Sequence, residues 1–457
     1  MAIKTKGKSG PVFGAFWFKG RVKTDKDSRM ATLTNVEVTK VRWSDATPEQ
    51  QEVFGKLVES KVPERGIPIS MDRLSASLAA AEREAKSAAE LKNDPPKIIV
   101  TNELSVLLLY DGEPRYERVG DSPYERASNT PMLVVKDSKS GKHFLSSGKS
   151  WYSASNAKGP WQFGAQPPKD LLKMLPPDSV TQAPDLAKPP KIVVATEPTE
   201  LVVFDGEPVW KTLESGDLLY ATNTETVVTR ELASNNDYLL ISGRWFKSGS
   251  AGGPWTYVRS DQLPEGFKKN PPGSEIRLAR VSVAGTEEAN DALLDVEIPQ
   301  TTAIDRKTAK LEVVYDGAPK FEAISGTSVE YAANSGTQVL RIDGRYYAVD
   351  NGVWFTSGSA SGPWMVADQV PTEKIQTIPP SAPVHNVTHV HVYESTPQVV
   401  YVGYTPGYMW SFPYYGTVVY GTGYYYRPWP GIYYPRPVTW GMHVSYNPWT
   451  GWGFGMT

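Results

Sequence analysis

Apolar and polar positions alternate along most of this chain in short runs, and each run ends at a turn signal. Ile98-Ile99-Val100, Val202-Val203-Phe204 and Tyr238-Leu239-Leu240-Ile241 are too short for helices and rich in branched and aromatic side chains, so they predict β-strands. Asp205-Gly206 lies between Val202-Val203-Phe204 and Val209-Trp210. That setting predicts a hairpin with a type I′ turn, in which both central residues take positive φ. Ser242-Gly243, leading into Arg244-Trp245-Phe246-Lys247, predicts another. Helical period is clearest near the N-terminus. Two strands, near Val12 to Val22 and Ala31 to Trp43, precede a helix starting after Thr47-Pro48. A second helix is expected from about Met71 to Lys92, with Leu74, Leu78, Ala81 and Ala85 on its packed face.

The strand pattern repeats three times. Copy one runs Pro96-Lys97-Ile98-Ile99-Val100, Leu109-Tyr110-Asp111-Gly112-Glu113-Pro114, Trp151-Tyr152 and Gly159-Pro160-Trp161. Copy two runs Pro190-Lys191-Ile192-Val193-Val194, Val203-Phe204-Asp205-Gly206-Glu207-Pro208, Trp245-Phe246 and Gly253-Pro254-Trp255. Copy three is looser: Val313-Val314-Tyr315-Asp316-Gly317-Ala318-Pro319, Trp354-Phe355 and Gly362-Pro363-Trp364. Asp-Gly and Gly-Pro-Trp stand 48, 48 and 46 residues apart, and the two tryptophans of each copy stand ten apart. A fixed period of this kind marks a repeat architecture.

The fold class that follows is mainly β, with an N-terminal α+β domain over 1–95. Three small antiparallel β modules, each a barrel or sandwich, occupy 96–166, 190–262 and 275–371. The last carries an insertion at 275–306, read as a strand from Ile276 to Val283 and a helix around Glu287 to Leu294. Pro-rich stretches at Gln166-Pro167-Pro168, Leu175-Pro176-Pro177 and Lys188-Pro189-Pro190 are expected to be extended spacers. A Tyr/Trp/Gly/Pro-rich β segment, 384–457, closes the chain. From Thr396 onward it has no Asp, Glu or Lys, and its aromatic content far exceeds the chain's 11%.

Charge narrows the partners. With 48 basic and 50 acidic residues, the net charge of −2 offers no field for nucleic acid. The absence of cysteine removes thiol catalysis, disulfides and zinc-thiolate sites. Met1 to Gly10 holds no apolar signal core, and no run approaches the roughly 18 apolar residues of a spanning helix. Phosphate-cradle, dinucleotide and Ser-His-Asp signatures are missing, so no cofactor and no catalytic residue is assigned.

The candidate ligand-binding residues are the paired aromatics Trp151, Tyr152 and Trp161; Trp245, Phe246 and Trp255; and Trp354, Phe355 and Trp364. Their flat faces suit stacking on the apolar face of a sugar ring, and they equally suit the core of a small β fold. Alternation sends Trp245 and Phe246 to opposite faces of a strand, one ring in and its neighbour free. Asp111/Glu113 and Asp205/Glu207 are a carboxylate pair in form, but copy three has Ala318 in place of the Glu, and the turn explains the Asp. His385, His389 and His391, expected in a strand, are a weak metal candidate and otherwise edge-strand histidines.

Several motifs together carry a resemblance. They are the Tyr-Asp-Gly-Glu/Ala-Pro element, Gly-Arg-Trp-Phe with Gly-Pro-Trp, Ile298-Pro299-Gln300-Thr301, Val399-Val400-Tyr401-Val402-Gly403-Tyr404-Thr405-Pro406-Gly407-Tyr408 and Tyr446-Asn447-Pro448-Trp449-Thr450-Gly451. The chain resembles, over nearly its whole length, uncharacterised bacterial exported proteins commonly labelled carbohydrate-binding, families V and XII. Modules of those families carry a tryptophan pair inside the loop that here holds Ser, Gly, Ala and Asn. The resemblance implies a non-catalytic envelope or secreted binding protein, with polysaccharide or cell-wall glycan, and other envelope proteins, as its partners. It also implies that the chain starts partway into its first domain, near Phe13-Gly14-Ala15-Phe16-Trp17-Phe18, after an export signal, and stops within a longer tail. The competing readings are a structural or protein-interaction array with every tryptophan in a core, and a hydrolase with a site between modules.

Overall fold

The computed structural model describes residues 2–3, 12–25, 28, 30–43, 47–60, 66–71, 82, 88–146, 151–174, 189–432, 434, 436–440, 442–447 and 451–456. The protein is mostly β, with an α+β region at the N-terminus and three similar six-stranded antiparallel sheets. Its residues divide into two compact units: Met1–Leu91 with Asp291–Tyr414, and Lys92–Asn290 with Tyr415–Thr457. The expected 384–457 segment is therefore shared between two units.

In the N-terminal region, Val12–Asp25 and Met30–Trp43 form a long hairpin, and Ile67–Ser70 pairs with the start of its second strand. The helix Pro48–Ser60 starts where Thr47 and Pro48 place it. Thr47 Oγ1 accepts from Gln50 N at 3.4 Å and Gln50 Oε1 accepts from Thr47 N at 2.9 Å, a reciprocal cap over the first turn. Most of the expected Met71 to Lys92 helix, and Pro448 to Thr450, lie outside the described residues.

Each repeat is a meander in which every strand pairs with the next. In copy two the strands are Trp210–Thr212, Leu218–Ala221, Val228–Glu231, Asp237–Ile241, Arg244–Ser248 and Thr256–Val258. Ser242 and Gly243 take φ 48° and 74°, the two-residue turn expected there, and Asp343-Gly344 and Asn351-Gly352 do the same in copy three.

The Asp-Gly turns behave otherwise. Among their central residues the glycines Gly112, Gly206 and Gly317 take positive φ while the aspartates do not, so no type I′ turn forms. Nor does Thr199–Val203 pair with Trp210–Thr212. It pairs in parallel with Lys97–Thr101, while Ser105–Leu109 pairs in parallel with Lys191–Ala195. Copies one and two thus exchange their leading strands reciprocally, and Lys97–Glu197 and Lys191–Glu103 ion pairs repeat across the exchange. Ile98 and Val100 pack into the core of copy two, and Ile192 and Val194 into that of copy one.

The Asp-Gly bend is held by an asparagine whose side chain spans it. Asn223 Nδ2 donates to the carbonyls of Asp205 and Glu207 at 2.9 and 2.8 Å, and its Oδ1 accepts from Val209 N at 2.8 Å. Asn129 makes the same three bonds in copy one, and Asn334 in copy three.

Of the expected spacers, Leu175-Pro176-Pro177 and Lys188 lie outside the described residues, while Gln166-Pro167-Pro168 runs directly into a short helix. Pro168, Pro264 and Pro371 each precede a short helix, Lys169–Lys173, Glu265–Lys269 and Thr372–Ile375. These helices turn Leu171, Phe267 and Ile375 into the cores around Trp151, Trp245 and Trp354. The expected strand from Ile276 to Val283 is instead a 3-10 turn, Arg277–Ser282, whose Ala279 packs with Trp245 in copy two. The segment Gln300–Asp305 opens copy three but pairs antiparallel with Val399–Tyr404, not with another copy.

The exchanged strands complete one core of each of the first two copies. Leu108, fully buried beneath its borrowed neighbour, is expected to cost about 2–5 kcal/mol as Leu108→Ala, read from urea unfolding. Val314, in the run that precedes the bend of copy three and 61% exposed, is expected to change stability by less than about 0.5 kcal/mol as Val314→Ala.

Candidate functional site

The paired aromatics occupy one position in each copy. Trp245 and Phe246 sit in the strand Arg244–Ser248 and, as alternation requires, project to opposite faces. Both faces are covered. Trp245 is 0% exposed among Leu218, Phe267 and Ala279, with its Nε1 donating to Ser282 O at 2.8 Å. Phe246, also 0% exposed, packs with Val202, Phe204 and Trp440. Trp354 is fully buried, its Nε1 donating to Val390 O at 2.9 Å, and Phe355 lies on the opposite face with Val400 and Val402. Trp151 and Tyr152 are divided in the same way between two buried clusters. The expectation of one ring in and one ring free fails because each sheet has a helical segment on one face and extended chain on the other.

Trp161, Trp255 and Trp364 differ from these six. Each is half-buried and follows a cis Gly-Pro bond. The preceding glycines, Gly159, Gly253 and Gly362, take φ of 88°, 86° and 90°, and a Cβ there would stand 3.0–3.1 Å from the indole Cδ1. The indole therefore folds back over its own loop, and in all three its Nε1 is buried without a hydrogen-bond partner. A cavity beside Trp255, lined by Val100, Val202, Phe204, Trp210 and Asp237, encloses about 10 Å³. That is scarcely one water molecule and far less than a sugar ring.

Charged side chains along the sheets are paired across strands. Asp237, buried, receives Arg230 through two bonds of 2.6 and 3.0 Å, and that guanidinium lies 4.3 Å over the Trp210 ring. Lys136 over Tyr116 and Arg341 over Phe321 repeat the stack, with Glu125 and Glu330 as the carboxylates. Of the Asp-Gly-Glu-Pro carboxylates, Glu113 pairs with Lys158 at 2.7 Å, Glu207 accepts from Asn102 at 2.6 Å, and Asp111 accepts from the Tyr425 hydroxyl.

The three histidines are not all on a strand. His385–His389 is a 3-10 turn, and His391 follows in Val390–Ser395. His385 Nδ1 donates to Ile378 O at 2.8 Å, His389 Nδ1 meets Thr405 Oγ1 at 3.2 Å, and Phe412 packs against both rings. Among the described residues no three His, Asp or Glu side chains converge as a metal would require. Burial pushes the His385 imidazole down to about 4, and burial together with its histidine neighbours pushes His389 down to about 3. The His389 ring lies directly on the backbone of Gly407, where a Cβ would come within 2.3 Å of it.

No protein-family model matches the chain, and no curated protein matches its sequence. No helix among the described residues is long and apolar enough to cross a membrane. The asparagine clamp and the cation–aromatic stack escape a reading of motifs, although Asn129, Asn223 and Asn334 keep the spacing of the repeat.

Gly407→Ala is expected to lower stability by about 1–3 kcal/mol through overpacking against His389, measured by urea unfolding. The histidines set a pH dependence as well. They stay neutral in the folded chain and accept protons in the unfolded chain below about pH 6.5, so their stabilisation is complete above that pH. It is lost as pH falls toward about 4, on the order of 3 kcal/mol for His385. A His385→Asn, His389→Asn variant is expected to flatten the fall in urea midpoint between pH 6.5 and 5.

Proposed function

We propose that this chain is a non-catalytic scaffold of the bacterial cell envelope. In this reading it is a repeat array whose paired tryptophans build the module cores and whose partners are other proteins. The observation that carries the reading is the two-sided burial of Trp151/Tyr152, Trp245/Phe246 and Trp354/Phe355. Rings packed between two layers present no face for stacking on a ligand. The cation–aromatic stacks and ion pairs support the same view, since they tie strands together within each sheet. The envelope location rests on the resemblance to exported proteins and on a composition without cysteine.

A carbohydrate reading retains one observation, the half-buried faces of Trp161, Trp255 and Trp364. A pull-down with insoluble chitin, cellulose and peptidoglycan, followed by tryptophan emission, separates the two. The scaffold reading expects blue-shifted emission in the free protein and no saturable retention on any of the three polymers. Saturable retention that disappears in Trp161→Ala, Trp255→Ala and Trp364→Ala variants, each with a native circular dichroism spectrum, would sink it in favour of a glycan-binding array.

A further inference from the structure

In copies one and two the strand leading into the Asp-Gly bend has its outer edge closed by a borrowed strand. Ser105–Leu109 receives Lys191–Ala195, and Thr199–Val203 receives Lys97–Thr101, both in parallel. The ladder ends on the next amide: Tyr110 N donates to Ala195 O at 2.9 Å, and Phe204 N to Thr101 O at 2.8 Å.

Copy three has the same run, Lys310-Leu311-Glu312-Val313-Val314-Tyr315, and the same inner anchorage. Asp316 N donates to Asn334 O at 2.9 Å, and the Ser335 hydroxyl donates to Val314 O at 2.8 Å. Its outer edge differs. Among the described residues no strand pairs with 310–314, and the backbone pairing there is an isolated bridge between Tyr315 and Ser335. The segment that would be lent, Gln300–Asp305, is engaged by Val399–Tyr404. Burial follows the pairing: Leu108, Tyr110, Val202 and Phe204 are at most 2% exposed, while Val313 and Tyr315 are half-buried and Val314 is 61% exposed.

We propose that this edge of copy three captures an extended segment of a partner protein by parallel strand addition. The segment has the chemistry of the strands lent between copies one and two: a lysine followed by alternating β-branched residues, as in Lys191-Ile192-Val193-Val194. Main-chain bonds to the open edge supply affinity, and the apolar side chains supply selectivity by covering Val313 and Tyr315 as Ile192 and Val194 cover the core of copy one. Exposed Glu312 offers the incoming lysine a carboxylate, the role that Glu103 and Glu197 serve for Lys191 and Lys97. An unpaired edge with apolar residues is a template for pairing, and among the described residues the run before the bend has a strand partner in copies one and two but none in copy three.

The proposal deepens the scaffold reading and rests on it. The test adds a fluorescein-labelled peptide of sequence Pro189 to Glu197 to the full chain, with anisotropy for affinity and hydrogen exchange for location. Saturable binding is expected, weakened at least about tenfold when the peptide carries Ile192→Asp and Val194→Asp. Amide exchange within 311–316 is expected to slow by about tenfold or more on binding. The proposal is overturned if no saturable binding occurs up to about millimolar peptide, or if slowing is confined to 105–110 and 199–204, which would mark exchange into the first two copies. The glycan pull-down reports on the scaffold reading separately, so a negative peptide result without glycan retention removes this proposal alone.

Discussion

Each module depends on one side-chain amide. Asn129, Asn223 and Asn334 each use both side-chain hydrogens and the carbonyl oxygen to hold three main-chain groups of the Asp-Gly bend, with the backbone carbonyl adding a fourth bond. Asn129 and Asn334 have no solvent exposure, so nothing in water substitutes for those bonds. Among short side chains only asparagine carries two donors and an acceptor at this reach. An aspartate would lose the donors and bury a charge, and an apolar residue would strand the bend's polar groups at about 1–3 kcal/mol each. The clamp also directs the chain: it turns the preceding strand away from its own sheet, so that this strand must find a partner elsewhere.

What it finds sets the character of each copy. In copies one and two the strands are exchanged, and each core is finished by apolar residues of the other copy. In copy three the face bearing Phe355 is covered by Val400 and Val402 of the hairpin from Val390 to Tyr404. Short helices after Gly-Pro-Trp cover the opposite face of all three sheets. A sheet wrapped on both sides absorbs its aromatics as structure.

Polar groups inside these cores are held by neighbouring main-chain and side-chain atoms. Arg244, 1% exposed, donates to the carbonyls of Tyr420 and Gly421 and to Asn93 Oδ1, and stacks on Trp440 at 5.3 Å. It thereby fastens the aromatic C-terminal stretch, whose Tyr420, Tyr426 and Trp440 are buried, onto copy two. His385 and His389 are likewise neutral packing groups, each fixed by a neighbouring oxygen.

The repeat, its β character, the Ser242-Gly243 hairpin and the Thr47 cap were all legible in the chain, because each rests on a local rule of alternation, turn conformation or capping. Local rules also located the paired aromatics, and they required Trp245 and Phe246 to point oppositely. Whether either ring meets solvent depends on what lies over the sheet, and that comes from residues tens of positions away. The Asp-Gly bends mark the same limit, since a hairpin signal presumes that the flanking strands pair with each other. Here the clamp by a distant asparagine and the apolar match between copies made pairing across modules the better-satisfied arrangement. Sequence by itself determined the modules and their strands; only the tertiary structure decided which strands are shared and which aromatics are covered, because burial and pairing are properties of what arrives from elsewhere in the chain.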